Sequence, residues 1–239
     1  MRQNNVVRTE VVLRLLLVTM ACATPLRAAA VQDPGVTWLI FVDDLHLDFR
    51  DTGHIRKLLR SVASQLIRDE DAFVLLCSGP SFHPIDLTVT RSSLDAAIAR
   101  VAGNALPPAA VPASSTTDEV QYRASLALST ATEVLNATPS LPKRHAAMLY
   151  VSNGYPLDPL DARLAAFVSA AQRFQIPVFA MNARAFSRAP ARPLQDDAAR
   201  AALLNTLRVM SEPTGGIAIL SDSDFVDALE RGTIDRWVR

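Results

Sequence analysis

The sequence predicts an α/β domain, doubly wound about a mostly parallel sheet, with helices on both faces and one short antiparallel edge strand. Three observations carry this prediction. Short apolar runs rich in β-branched and aromatic residues recur at Trp38 to Val42, Phe73 to Cys77, Ala146 to Ser152, Ile176 to Met181 and Ile217 to Leu220. Runs of that length and uniformity suit strands covered on both faces. Segments with helical periodicity separate them, and strands alternating with helices require crossover connections and a parallel sheet.

Composition sets the bounds. The chain has 239 residues, 49% hydrophobic and 20% charged, which suits one domain with a sizeable core. Formal net charge is zero, no basic run occurs and aromatics make up 6%, so nothing points to nucleic acid. At the N-terminus Arg2, Arg8 and Arg14 precede the apolar stretch Leu15 to Ala23, followed by Pro25 and Ala28-Ala29-Ala30. This is the order of a secretory signal, expected to be cut after Ala30. An uncleaved anchor and lipidation at Cys22 remain as alternatives, and either would be the only route to a membrane. The expected organisation is therefore a signal peptide over 1–30 and a single domain over 34–235, in the periplasm or outside the cell. Removing 1–30 leaves 20 basic and 23 acidic residues, a net charge of about −3. Cys77 is then the only cysteine, so no intrachain disulfide is expected. Its place at the end of an apolar run marks a core residue.

The elements follow in order. Trp38 to Val42 opens the sheet. Thr52 caps a helix to about Arg68, with Ile55, Leu58, Leu59, Val62 and Leu66 on one face. Phe73 to Cys77 is the second strand, broken by Ser78-Gly79-Pro80, which reads as a turn. Ile85 to Val89 alternates weakly and supplies the expected edge strand. Ser92 or Ser93 caps a helix through Leu94, Ile98 and Val101. Residues 103–117 read as a surface loop. Thr116 or Thr117 caps a long helix to about Asn136, with Asp118 and Glu119 in its first turn, where the helix dipole favours negative charge. Ala146 to Ser152 is the third strand, turning at Asn153-Gly154-Tyr155-Pro156. A helix from Asp161 to Phe174, the strand Ile176 to Met181, an irregular stretch over 184–195 and a helix from Asp196 to Met210 follow. Gly215-Gly216 leads into Ile217 to Leu220, and Ser221 to Asp224 caps a last helix from Phe225 to about Arg231.

Everything is arranged around Trp38-Leu39-Ile40-Phe41-Val42-Asp43-Asp44-Leu45-His46-Leu47. A buried strand runs straight into two carboxylates, and the C-terminal edge of an open α/β sheet is where ligands bind. The plainer alternative is that Asp43 and Asp44 merely end the strand. The expected ligand or partner edge comprises Asp43, Asp44, His46, Asp48, Thr116, Thr117, Asp118, Asn153 and Tyr155.

With these stretches, the element order over roughly residues 34–231 resembles a von Willebrand factor type A domain. The closest likeness is to the variant found beside bacterial secretion signals, the VWFA-related acidobacterial type. Asp69-Glu70-Asp71-Ala72-Phe73-Val74, Thr116-Thr117 and Leu149-Tyr150-Val151-Ser152-Asn153-Gly154 carry the likeness along with the first strand. The resemblance implies a metal site built from Asp-x-Ser-x-Ser, a threonine and a strand-end Asp-Gly. Of these only Asp43 matches fully. The two serine positions fall on Leu45 and Leu47, Thr116 or Thr117 can supply the threonine, and the last aspartate falls on Asn153. Mg²⁺ prefers six near-octahedral oxygens, so a degenerate site at Asp43, Thr117 and Asn153 and no cofactor are expected, with Mg²⁺ the ion to test. His46 would suit a softer metal, but a lone loop histidine is more simply a surface residue.

The first strand and its acid pair also resemble a response-regulator receiver, but no lysine follows Ile176 to Met181 and the α/β pattern runs past a receiver's length. An Asp-x-Asp phosphohydrolase would need a second carboxylate where Leu45 stands, and no Gly-x-Ser-x-Gly, His-Glu-x-x-His or Walker A spacing occurs. The function expected is non-enzymatic: an exported interaction domain binding a protein partner. The alternative is a hydrolase or phosphotransfer enzyme using Asp43 and Asp44.

Overall fold

A computed structural model describes residues 35–79, 91–105, 116–138, 145–186, 197–230 and 234. By its contacts the chain divides into Met1–Asp33 and Pro34–Arg239. The first unit, with the expected signal peptide, lies outside the described residues. So does the expected edge strand Ile85 to Val89.

Among the described residues five parallel strands form one sheet: β1 Val36–Val42, β2 Ala72–Cys77, β3 His145–Ser152, β4 Val178–Asn182 and β5 Ala218–Ile219. Their order is β2-β1-β3-β4-β5. The chain works outwards from β1 in one direction, returns, and builds in the other, so the switch point lies between β1 and β3. The helices are α1 Thr52–Leu66, α2 Arg91–Arg100, α3 Thr116–Ala137, α4 Ala162–Arg173, α5 Asp197–Ser211 and α6 Asp222–Glu230. Among the described residues no helix is long and apolar enough to cross a membrane.

β1 shows why the sheet must be covered on both sides. All seven of its residues are buried. Its alternate side chains enter two different cores. Val36, Trp38, Ile40 and Val42 join Ile55, Leu59 and Val62 of α1 and Leu94 and Ile98 of α2. Leu39 and Phe41 join Ala127, Leu128 and Ala131 of α3 and Leu164 and Phe167 of α4. At the start of β1, the Asp71 carboxylate accepts from Val36 N at 2.8 Å, Trp38 Nε1 at 3.1 Å and Arg68 N at 3.0 Å. It ties the entries of β1 and β2 together.

Several boundaries differ from the sequence expectation, each for a local reason. Thr52 does not cap α1. A 3-10 turn, Phe49–Asp51, precedes the helix, and the Thr52 hydroxyl accepts from Gly103 N at 3.1 Å. Ser92 and Ser93 lie inside α2, which already begins at Arg91. β4 starts at Val178 rather than Ile176, because Ile176 N bonds back to Ala171 O and Pro177 has no N–H to give. β5 keeps two residues of the expected four. The amides of Leu220 and Ser221 go to the Asp224 carboxylate, and Ser221 Oγ accepts from Asp224 N. That reciprocal exchange is a capping box, and it starts α6 where the strand would have continued.

Candidate functional site

In-register pairing lines up the C-terminal ends of the strands. Val42 lies opposite Cys77 on one side and Val151 on the other, and Ser152 lies opposite Asn182. One residue beyond Val42, Cys77 and Val151 come Asp43, Ser78 and Ser152, a polar row across the edge. All three are buried.

Asp43 is the centre of this row. Its Oδ1 accepts from His46 Nδ1 at 2.9 Å and Ser78 Oγ at 3.0 Å. Its Oδ2 accepts from Ser152 Oγ at 2.7 Å. The Tyr155 hydroxyl donates to the same carboxylate. Tyr155 has only that proton, so the Tyr150 hydroxyl beside it supplies the proton between the two tyrosines. Burial pushes the Asp43 carboxyl up. The His46 charge and the hydrogen bonds from His46, Ser152 and Tyr155 outweigh it, and the pKa falls below the ordinary value. Asp43 is therefore ionised at neutral pH. Burial, and then the Asp43 charge, push both tyrosines well above their ordinary value.

Asp44 is equally buried and faces the other way. Its Oδ1 accepts from Gly79 N at 2.7 Å and Ser78 Oγ at 3.1 Å, and its Oδ2 from Asn104 Nδ2 at 2.7 Å. Ser78 has one proton for two carboxylates and thus couples them. Asn104 also donates its backbone N–H to Asp44 O at 2.7 Å. Arg123 of α3 holds this loop from above, through Nη1 to Leu45 O at 3.3 Å and Asn104 O at 2.9 Å, with Nε on Glu119 at 2.6 Å.

The remaining expected residues separate into inner and outer sets. His46 stacks edge-on against Tyr155 with ring centroids 4.8 Å apart. Asn153 is buried and donates Nδ2 to His46 O at 2.8 Å. Among the described residues His46 Nε2 and Asn153 Oδ1 are buried without a hydrogen-bond partner. Asp118 is exposed, and Asp48 is half-buried and caps the 3-10 turn through Arg50 N. Thr116 and Thr117 start α3, but their side chains lie outside the described residues. Sequence reasoning missed Ser78, Ser152 and Asn104. Ser78 reads as a turn residue and Asn104 as loop. Only the strand order brings them to the two aspartates.

These residues do not fit the metal that the type A resemblance implies. A carboxylate offers about four acceptor sites, and four side-chain donors of the protein address Asp43. Leu45 and Leu47, at the two serine positions, are buried apolar side chains. Asn153 offers one neutral oxygen. Among the described residues, Mg²⁺ would have to displace protein donors and gain almost no ligands in return.

Scanned against protein-family models the sequence matches none, and no curated protein matches it. The site is therefore read from its own geometry.

Proposed function

We propose that this chain is an exported, non-enzymatic interaction domain of the von Willebrand type A kind, with a degenerate metal site. It binds a protein partner through the C-terminal edge of its sheet. One observation carries the reading: the Asp43 carboxylate, where a metal or a reacting group would be handled, is buried and saturated by the protein's own donors. Such a carboxylate fixes the ends of three strands and leaves the loops above it as a rigid platform. Those loops present Phe49, 71% exposed, beside the half-buried Asp48. An exposed aromatic beside a charge is a common start for a protein interface. A hydrolase or phosphotransfer enzyme would need Asp43 or Asp44 to reach substrate, and the burial of both weighs against it.

The test uses the full chain in its native host. Chemical cross-linking should capture a partner, and Phe49→Ala with Asp48→Lys should lose it. Capture should persist in EDTA. Loss of capture in EDTA, or a hydrolytic activity abolished by Asp43→Asn, overturns the reading. Mass spectrometry should place the mature start near Val31, and an intact Met1 on a cytoplasmic species overturns export.

A further inference from the structure

A groove of about 570 Å³ opens at the same edge, between α3 and the ends of β1 and β2. Leu45, Cys77, Ser78 and Gly79 line one side, and Leu126, Thr130 and Glu133 the other. Its apolar wall continues onto the outer face of α3. Asp118, Tyr122, Leu126, Thr130 and Glu133 follow one another at three- and four-residue spacing and form one stripe. Tyr122 is 62% exposed and Leu126 37%, so two large apolar side chains face outwards a single turn apart. The charge on this stripe has one sign. Asp118, Glu119 and Glu133 are the acids of α3 and Arg123 is its only base. Arg123 is occupied by Glu119 and by the carbonyls of Leu45 and Asn104, which leaves Asp118 and Glu133 uncompensated on α3. Behind the wall lie the ionised Asp43 and the Asp44 carboxylate. The Cys77 thiol on the groove wall feels both: burial pushes its pKa up, and the charges of Asp44 and Asp43 push it further.

An apolar trough in a negative field suits an apolar side chain flanked by cations, whose aliphatic stems can lie along leucines while their charges reach the acids. We infer that this stripe and groove receive a protein segment with an apolar centre and a lysine or arginine at each end. The inference rests on the reading of the chain as an interaction domain and names the partner's chemistry. Asp118 and Glu133 are about 22 Å apart along the helix. An extended segment with about six residues between its cations spans the same distance.

A fluorescein-labelled eight-residue peptide, with lysine at both ends and leucine and phenylalanine at its centre, tests this against the full chain by anisotropy. Binding should weaken at least tenfold with Leu126→Asp. It should weaken at least tenfold with Asp118→Lys and Glu133→Lys together, and fall as salt rises. These positions are exposed, so an unchanged melting temperature serves as the folding control. Equal affinity for the same peptide ending in glutamates, a change below twofold in the α3 variants, or no binding at millimolar peptide overturns the inference. If the native partner is still captured by the α3 variants but lost with Phe49→Ala and Asp48→Lys, the interaction reading stands and this one falls.

Discussion

Asp43 is best understood through what replaces its charge. Asp43→Asn puts an amide NH₂ among four donors, so at least one donor pair must face each other in a buried site. We expect a loss of about 3 kcal/mol at pH 7, read from urea midpoints. The same variant isolates a pH effect. The folded pKa of Asp43 lies below the unfolded value of about 3.9. Its stabilisation is thus fully present above that unfolded value and is lost as pH falls through the folded pKa. As pH falls below the unfolded value the gap between wild type and Asp43→Asn should narrow, and a gap that stays constant would contradict an ionised Asp43. The metal question belongs here too. Titration with millimolar Mg²⁺ or Mn²⁺ should give no heat and no shift in melting temperature. A micromolar site would add about 4 kcal/mol at a thousandfold excess over Kd.

At the level of elements, the turn after β3 is the most constrained piece. Gly154 has φ +80°, and its backbone lies against Leu203 O of α5. A Cβ there would collide with that carbonyl, in a conformation that itself costs an L-residue about 1–2 kcal/mol. Gly154→Ala should therefore lower stability by more than that amount and disturb Tyr155, whose N–H bonds Thr206 Oγ1 at 3.0 Å. A thermal melt of the variant within 1 °C of wild type would refute the clash. The elements were largely legible in the sequence because buried parallel strands leave uninterrupted apolar runs such as Phe73 to Cys77. Their ends were less so. β5 stops where Asp224 takes the next two amides, a competition between side chain and strand that hydrophobicity does not register. The inner site was half legible. Asp43 and Asp44 stood out as carboxylates after an apolar run, whereas Ser78, Ser152 and Asn104 became their neighbours only through strand order and loop closure over 34 to 109 residues of sequence.

Across the whole molecule, β1 is pinned at both poles. Asp71 gathers donors at its entry, and Asp43 gathers donors at its exit from β2, β3 and the loop beyond. Between them the strand is hydrogen-bonded on both edges and covered on both faces. Neither end can fray first, as strand ends usually do. Amide hydrogens of Leu39 and Ile40 should then exchange with deuterium only when the domain opens as a whole, so their protection reports global stability. β5, two residues long and paired on one edge among the described residues, should exchange earlier, through partial opening. In a destabilised variant such as Asp43→Asn, the β1 amides should speed up by the full factor set by the urea measurement while those of β5 hardly change. The strand that opens the domain thus doubles as its internal stability gauge, readable residue by residue by NMR without added denaturant.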